Sequence, residues 1–145
     1  MIALIQRVTR ASVTIDDQVH AEIGAGLLVL VAAVPDDEHK QARRLAQRVL
    51  DYRVFADAEQ RMNLSARDTG AAILAVPQFT LAADTRRGNR PGFSGACPPA
   101  RALPLFNGFV DALHEQHAAV ENGLFGADMQ VALVNDGPVT FWLTS

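Results

Sequence analysis

The sequence of 145 residues contains a single cysteine, Cys97, so no disulfide can form within the chain. A lone thiol is typical of a protein that works in a reducing compartment, and we expect a cytoplasmic location. The longest apolar run, residues 27–34, is far shorter than the roughly 20 residues that cross a bilayer. Gln6, Arg7 and Arg10 interrupt the apolar residues at the amino terminus, which predicts no signal peptide and no membrane partner.

Positive charge is also scarce. Thirteen Lys and Arg residues face 16 Asp and Glu residues, which gives a formal net charge of −3. Proteins that hold nucleic acid by bulk electrostatics are usually basic. Any contact with RNA would therefore require a local patch of basic side chains.

Signatures of metal, nucleotide and triad chemistry are missing as well. None of the four histidines has a cysteine or carboxylate at ligand spacing, so we expect no metal. The chain has no glycine-rich nucleotide loop and no Gly-x-Ser-x-Gly elbow. Cys97 has no nearby histidine to activate its thiol. We expect no cofactor and no conventional catalytic triad.

The chain does contain apolar runs, separated by turn residues, in a pattern typical of an α+β protein. Nearly half of the residues are apolar, which suits one folded domain over residues 1–145. Helical spacing predicts two main helices, one over Ala42–Leu50 and one over Leu103–His117. The other runs predict about eight strands, several of them in hairpins, so the sheet should be largely antiparallel.

Several local features add detail to this prediction. The first strand should break near Thr9-Arg10, and Asp36-Asp37 offers a cap for the first helix. Residues 56–69 are polar and predict a loop. Pro104 is expected in the first turn of the second helix, where a missing N–H costs little.

Gly137-Pro138 separates two apolar runs, residues 129–134 and 139–143, and each run predicts a strand. Proline cannot donate to a sheet ladder, so it belongs at a strand start, an edge or a bulge. The sequence Asn-Asp-Gly-Pro is also a strong turn signal. Two interpretations stay open, namely a simple hairpin turn and a rigid corner with a function.

A second polar segment follows the apolar run that ends at Val76. Gln78 and Thr80 alternate with apolar neighbours, so both side chains point to one face if the segment is extended. Such a pair forms a neutral hydrogen-bonding surface that could position an ester or a ribose hydroxyl. The alternative is a solvated face of an ordinary strand.

Five stretches of the chain together carry a family resemblance: Met1–Val8 with Ala11–Val13, Gly24–Leu30, Met62–Leu64, Gln78–Asp84 and Ala127–Phe141. In these stretches the chain resembles the bacterial D-aminoacyl-tRNA deacylases of the D-tyrosyl-tRNA(Tyr) deacylase family. The resemblance covers essentially the whole length. Each stretch alone is weak, but two site motifs in the expected order, together with the amino-terminal signature, are specific.

The resemblance implies an enzyme that hydrolyses the ester between a D-amino acid and the terminal adenosine of tRNA, and also glycyl-tRNA mischarged on alanine tRNA. It implies a barrel-like deacylase fold and a homodimer with each active site at the subunit interface. Gly137 and Pro138 would form a cis peptide that reaches into the partner's site and excludes L-aminoacyl groups. Gln78, Phe79 and Thr80 would be the catalytic residues that bind the adenosine and the ester, and backbone N–H groups would form an oxyanion hole. Thr80 could be a nucleophile but lacks an evident base, so we favour hydrolysis in which the ribose 2′-hydroxyl helps to activate water.

The resemblance also implies supporting roles near the substrate for Arg7, Met129 and Asn135. Pro77 has such a role too, but it departs from the family pattern, which usually has serine there. A related branch with looser chirality carries proline at this position, so a deacylase with relaxed chirality is one alternative.

Two further alternatives are a non-catalytic RNA-binding dimer and an interface protein without activity. Arg86, Arg87 and Arg90 are candidates for contacts with acceptor-stem phosphates, although solvation at the surface is the simpler explanation for each.

Overall fold

The computed structural model describes all residues from 1 to 145. It contains eight strands and three helices, in the order β1 (Ile2–Ile15), β2 (Gln18–Ile23), β3 (Gly26–Ala32), α1 (His39–Asp51), β4 (Phe55–Ala56), β5 (Met62–Leu64), α2 (Ala66–Thr69), β6 (Ala72–Pro77), α3 (Pro99–His114), β7 (Val120–Asn122) and β8 (Gln130–Thr144). A 3-10 turn over Phe79–Ala82 follows β6 directly. The predicted α+β class is confirmed. None of the helices combines the length and the apolarity that a bilayer crossing requires.

Strand β1 organises the main sheet. Its first half pairs antiparallel with β3 and its second half with β2, while β8 runs antiparallel along its other edge. Strand β6 then pairs parallel with β3, and β7 pairs parallel with β6. The sheet is thus antiparallel around β1, as predicted, and parallel at its far side. Because β2 approaches β6 and β7, the sheet curves into a nearly closed barrel.

The two faces of the sheet bury two apolar clusters. The larger, of 27 residues, lies between the sheet and helices α1 and α3, and the smaller, of eight residues, lies on the inner face of the barrel. Odd-numbered residues of β3 and β6 point into the first cluster and even-numbered ones into the second. In β1 this alternation changes at Thr9 and Arg10, which are both exposed. The predicted break is therefore a change of face within one continuous strand.

Helix α1 buries the apolar stripe that the sequence predicts, from Ala42 to Leu50. Its cap is not the predicted aspartate pair, however. Glu38 caps the helix, and its backbone N–H donates to the side chain of Gln41 at 3.0 Å. Asp37 is buried instead, and its carboxylate accepts from the Met1 amino group at 2.5 Å and the Val34 N–H at 2.6 Å.

Two other local predictions are wrong. Residues 56–69 are not a loop throughout, since β5 pairs with β4 and Ser65 caps the single turn of α2. Helix α3 begins at Pro99 and ends at His114, so Pro104 lies beyond the first turn and His117 lies outside the helix. A proline already occupies the first helical position, and the exposed Pro104 interrupts the backbone ladder only once.

Candidate active site

A cavity with a volume of about 730 Å³ lies beyond the carboxyl end of β6. Helix α3, the segment 125–129 and the loop segment 93–98 form its other walls. Most of its lining residues are apolar, and Asp128 is the one charged side chain among them. Four of the predicted site residues line it: Pro77, Gln78, Phe79 and Met129.

The segment after β6 leaves the sheet at once. The Gln78 N–H donates to the Val31 carbonyl at 2.7 Å, which ties the strand end to β3. The Gln78 carbonyl then accepts from the Leu81 N–H at 3.2 Å and closes a 3-10 turn. The segment is therefore not extended, and the condition under which alternation would place both polar side chains on one face is not met. The polar side chains meet all the same, because the Gln78 Nε2 donates to the Thr80 Oγ1 at 2.5 Å.

This turn presents two backbone donors. The N–H groups of Phe79 and Thr80 are the first two of the turn, and the first residues of any helix have no acceptor within it. The Phe79 ring is 56% exposed and packs against Phe93 with ring centroids 5.1 Å apart. A substrate carbonyl oxygen placed at the start of the turn would face both N–H groups, because no acceptor within the turn binds them.

Pro77 ends the pairing between β6 and β7. The Gly123 N–H donates to the Ala75 carbonyl at 2.8 Å, and a parallel ladder would next join the nitrogen of residue 77 to the Gly123 carbonyl. Proline has no N–H to donate. The Gly123 carbonyl instead accepts from the Nδ2 of Asn122 at 3.0 Å. The chain beyond Gly123 is thereby released from the sheet and forms a wall of the cavity.

Met129 closes the same region. A side chain at residue 123 would stand 2.9 Å from the Met129 sulfur and 3.5 Å from the Pro77 ring. Glycine at this position thus leaves room for the Met129 sulfur. The two predicted supporting residues, Pro77 and Met129, lie near Gly123 and line the same cavity as Gln78.

The segment around Gly137 and Pro138 is not a hairpin turn. Strand β8 continues through it from Gln130 to Thr144, and its register against β1 shifts next to the segment. The proline therefore lies in an irregular part of an edge strand. The Gly137–Pro138 peptide bond is cis, and Gly137 has a φ of 142°, which L residues rarely adopt. Both residues are exposed.

We call the segment around Gly137 and Pro138 the corner, and the side chain of Asn135 spans it. Its Oδ1 accepts from the Val139 N–H at 2.7 Å, and its Nδ2 donates to the Val139 carbonyl at 3.3 Å. The same Nδ2 donates to the Thr140 hydroxyl at 3.0 Å. The residues on either side of the corner are thus held together by one carboxamide.

Arg7 holds the corner from strand β1. Its Nε donates to the Asp136 carbonyl at 3.1 Å and lies 3.1 Å from the carboxylate of the same residue. Its Nη1 donates to the Val54 carbonyl at 2.5 Å. The Arg7 side chain is only 16% exposed, so little water competes for these contacts. Arg7 thus links Asp136, at the start of the corner, to Val54 in the body of the protein.

The predicted site residues therefore form two groups within one chain. Gln78, Phe79, Pro77 and Met129 line the cavity, and Thr80 is joined to Gln78. Gly137, Pro138, Asn135 and Arg7 form the braced corner, and none of them lines the cavity.

Sequence reasoning missed several residues of the cavity. The lining also includes Phe93, Cys97, Phe106 and Phe125, which come from the loop over residues 83–98, from α3 and from the turn before β8. An aromatic residue within a loop rich in Gly and Pro was the one available signal, and it pointed to Phe93. The same loop contains Asp84, and hydrogen bonds from Arg86 hold the pKa of its carboxyl well below the usual range.

Comparison with known proteins identifies the group to which this chain is related. The family model for D-Tyr-tRNA(Tyr) deacylase matches residues 4–144. D-aminoacyl-tRNA deacylases from Enterobacter sp. (strain 638) and Escherichia coli O1:K1 / APEC are each 58% identical to it over 143 residues, which is 99% of both chains. The chain belongs to the D-Tyr-tRNA(Tyr) deacylase family. It is accordingly an enzyme of the hydrolase class, and both the predicted resemblance and the predicted class are confirmed.

Two solved structures share the fold of this chain. The c-Myc DNA unwinding element binding protein superposes with a TM-score of 0.95 at 38% identity, and the match covers 100% of this chain and 99% of that one. A probable eukaryotic D-amino acid tRNA deacylase superposes with a TM-score of 0.84 at 16% identity, covering 98% and 97% of the two chains. This second match shows the fold alone, which is the barrel-like deacylase fold that the sequence predicts.

Proposed function

We propose that the protein, as a single domain over residues 1–145, hydrolyses the ester bond of D-aminoacyl-tRNA in the cytoplasm and releases free amino acid and tRNA. Glycyl-tRNA mischarged on alanine tRNA is a second substrate in this proposal. The observation that carries the proposal is the turn after Gln78, which presents two backbone donors beside a cavity of about 730 Å³. The names of the relatives point to the same substrate class.

The reaction needs few groups from the protein. A water oxygen bonds to the ester carbonyl carbon, the bond from that carbon to the ribose oxygen breaks, and a proton passes from the water to the leaving ribose oxygen. Negative charge develops on the carbonyl oxygen in between. The N–H groups of Phe79 and Thr80 would stabilise that charge, as preorganised backbone donors do in other acyl-transfer enzymes.

Thr80 is the one hydroxyl of the motif, but its surroundings do not suit a nucleophile. Its Oγ1 is bonded to the Gln78 amide nitrogen at 2.5 Å, and an amide N–H cannot accept the proton that an attacking hydroxyl must lose. We assign Thr80 and Gln78 to orienting the substrate. The 2′-hydroxyl of the terminal ribose is the group that we propose to assist the water.

The braced corner is our proposed filter for chirality, acting on the site of a second subunit. Its backbone carbonyls would accept hydrogen bonds from the α-amino group and occupy the space that an L side chain needs. Selectivity would then arise from exclusion of the wrong substrate. Two observations support a homodimer with shared sites: Gly137 and Pro138 are exposed, and they do not line the cavity of their own chain.

The test is turnover of D-tyrosyl-tRNA and L-tyrosyl-tRNA by catalytic amounts of purified protein. We expect release of D-tyrosine, with the L substrate spared, and release of glycine from glycyl-tRNA charged on alanine tRNA. Equal hydrolysis of both tyrosine esters would favour relaxed chirality, an alternative that the proline at position 77 supports. Tight tRNA binding without release would refute the proposal.

Mixing two inactive variants tests the shared site. Gln78→Ala removes one half of the site, and Gly137→Val places a bulky side chain on the other. A mixed dimer of the two has one intact site only if cavity and corner come from different chains. We expect activity to return on mixing, and no recovery would refute a site shared between subunits.

A further inference from the structure

Residues 84–92 form a closed loop beside the cavity. The N–H of Asp84 donates to the Gly92 carbonyl at 2.7 Å, and the N–H of Gly92 donates to the Asp84 carbonyl at 3.0 Å. The next residue, Phe93, lines the cavity and packs against Phe79. The loop is therefore anchored at the cavity wall and carries its exposed side chains just outside it.

Three arginines project from this loop, and one of them is already neutralised. The Nε and Nη2 of Arg86 donate to the two carboxylate oxygens of Asp84 at 2.9 and 2.7 Å. The backbone N–H of Arg86 adds a third bond to the same carboxylate at 3.0 Å. The Asp84–Arg86 pair as a whole carries no net charge, so it attracts a second anion less strongly than an unpaired guanidinium does.

Arg87 and Arg90 differ from Arg86 because neither is paired with a carboxylate. Both are exposed, and neither takes part in any of the ion pairs of the chain. They lie on the same short loop as the neutral Asp84–Arg86 pair. Because the whole chain carries a net charge of −3, RNA is repelled at long range, and contacts with phosphate depend on local free cations of this kind.

We propose that Arg87 and Arg90, but not Arg86, bind phosphate groups at the acceptor end of the tRNA substrate. The proposal rests on the proposed function, since it takes the terminal adenosine to occupy the cavity. The nucleotides that precede the adenosine must leave the cavity, and the loop of residues 84–92 is joined to the cavity wall through Phe93. Guanidinium groups suit this role because their planar donor pairs match phosphate oxygens.

The experiment measures binding of uncharged tRNA as a function of salt concentration. Each lost phosphate contact lowers the slope of log affinity against log salt by about 0.7 for single strands and about 0.9 for duplex. We expect Arg87→Gln and Arg90→Gln each to lower the slope by about this amount, and the double variant to lower it by roughly twice as much.

The matched control removes the neutral pair without changing the net charge. In the double variant Asp84→Asn with Arg86→Gln, the side chain at position 84 can still accept from the backbone N–H of residue 86. We expect this control to bind tRNA with the slope of the unmodified protein. A control that lowers the slope as much as the Arg87 and Arg90 variants would overturn the assignment, as would Arg87 and Arg90 variants with an unchanged slope.

A short substrate separates this proposal from the proposed function. D-tyrosine esterified to adenosine alone has no phosphate, so Arg87→Gln and Arg90→Gln should hydrolyse it at the rate of the unmodified protein. Slower hydrolysis of this ester by both variants would show that they act on the cavity, and would overturn the phosphate role. Should the unmodified protein hydrolyse neither substrate, the proposed function fails, while the binding slopes still decide the role of the two arginines.

Discussion

Replacing Asn135 with alanine tests how the corner at Gly137 and Pro138 is held. The substitution removes the Asn135 Oδ1, which in the unmodified protein accepts from the Val139 N–H at 2.7 Å. Val139 is only 9% exposed, so water replaces that acceptor poorly. An unpaired buried donor costs about 1–3 kcal/mol, and the longer 3.3 Å contact to the Val139 carbonyl adds little. We expect the free energy of unfolding to fall by about 1–3 kcal/mol.

The effect on activity should exceed the effect on stability under conditions where the protein stays folded. Displacement of a positioning group by about 1 Å can reduce a rate on the order of 100-fold. If the corner is the chirality filter, Asn135→Ala should lower the preference for D-tyrosyl-tRNA over L-tyrosyl-tRNA. Unfolding in urea, followed by circular dichroism, gives the stability, and initial rates of deacylation give the preference.

Asn107→Ala is the matched control, because Asn107 is exposed on α3 and takes part in no hydrogen bond through its side chain. Its unfolding free energy should change by less than about 0.5 kcal/mol. If Asn135→Ala unfolds at the same urea concentration as this control, the brace contributes nothing. If it loses stability and keeps its full preference for the D substrate, the corner has no part in selectivity.

Three further predictions concern the frame of the site. Gly26→Ala should lower the melting temperature, because its Cβ would collide with the backbone of β6, and overpacking of this kind costs about 1–3 kcal/mol; an unchanged melting temperature would contradict it. Hydrogen bonds from Ser65 lower the pKa of Asp68 below its ordinary value of 3.8, so this carboxylate stabilises the fold above that pH and ceases to do so as acid protonates it. The difference in melting temperature between Asp68→Asn and the unmodified protein should therefore shrink as the pH falls below 3.8. Pro77→Ser restores a donor opposite the Gly123 carbonyl, and hydrogen exchange should show the new amide to be protected; rapid exchange would mean that no such bond forms.

The parts of the fold that sequence predicted correctly are those decided by neighbouring residues. Asp16 and Asp17 both adopt positive φ, at 49° and 59°, and form the tight turn between β1 and β2, and aspartate is a residue that favours turns through its own side chain. The apolar stripe from Ala42 to Leu50 determines which face of α1 is buried. In these places the local pattern and the tertiary structure require the same conformation.

The predictions that failed depend on partners distant in sequence. The segment at Gly137 carries every mark of a turn, yet pairing with β1 on both sides keeps β8 in one strand. The alternation around Gln78 indicates an extended chain. Beyond Pro77, however, the strand has no partner on the β7 side. The backbone forms a turn instead, in which the Leu81 N–H donates to the Gln78 carbonyl. The residues of the site came from the family resemblance, whereas the aromatic wall around Phe93 depends on loop packing that no local pattern encodes.

The rigidity of the corner is itself an argument about where it acts. Exposed backbone is usually mobile, but here Asn135 and Arg7 hold it through five contacts with four other residues. None of these contacts buries Pro138, so the hydrogen bonds of Asn135 and Arg7 do not extend the hydrophobic core to this residue. A protruding segment that is already ordered loses little entropy when another surface closes on it. The arrangement is therefore the one expected of a group that must meet its target in a fixed geometry. The corner does not line the cavity beside Gln78 within its own chain, and its rigidity therefore supports our proposal that it acts on the site of a second subunit.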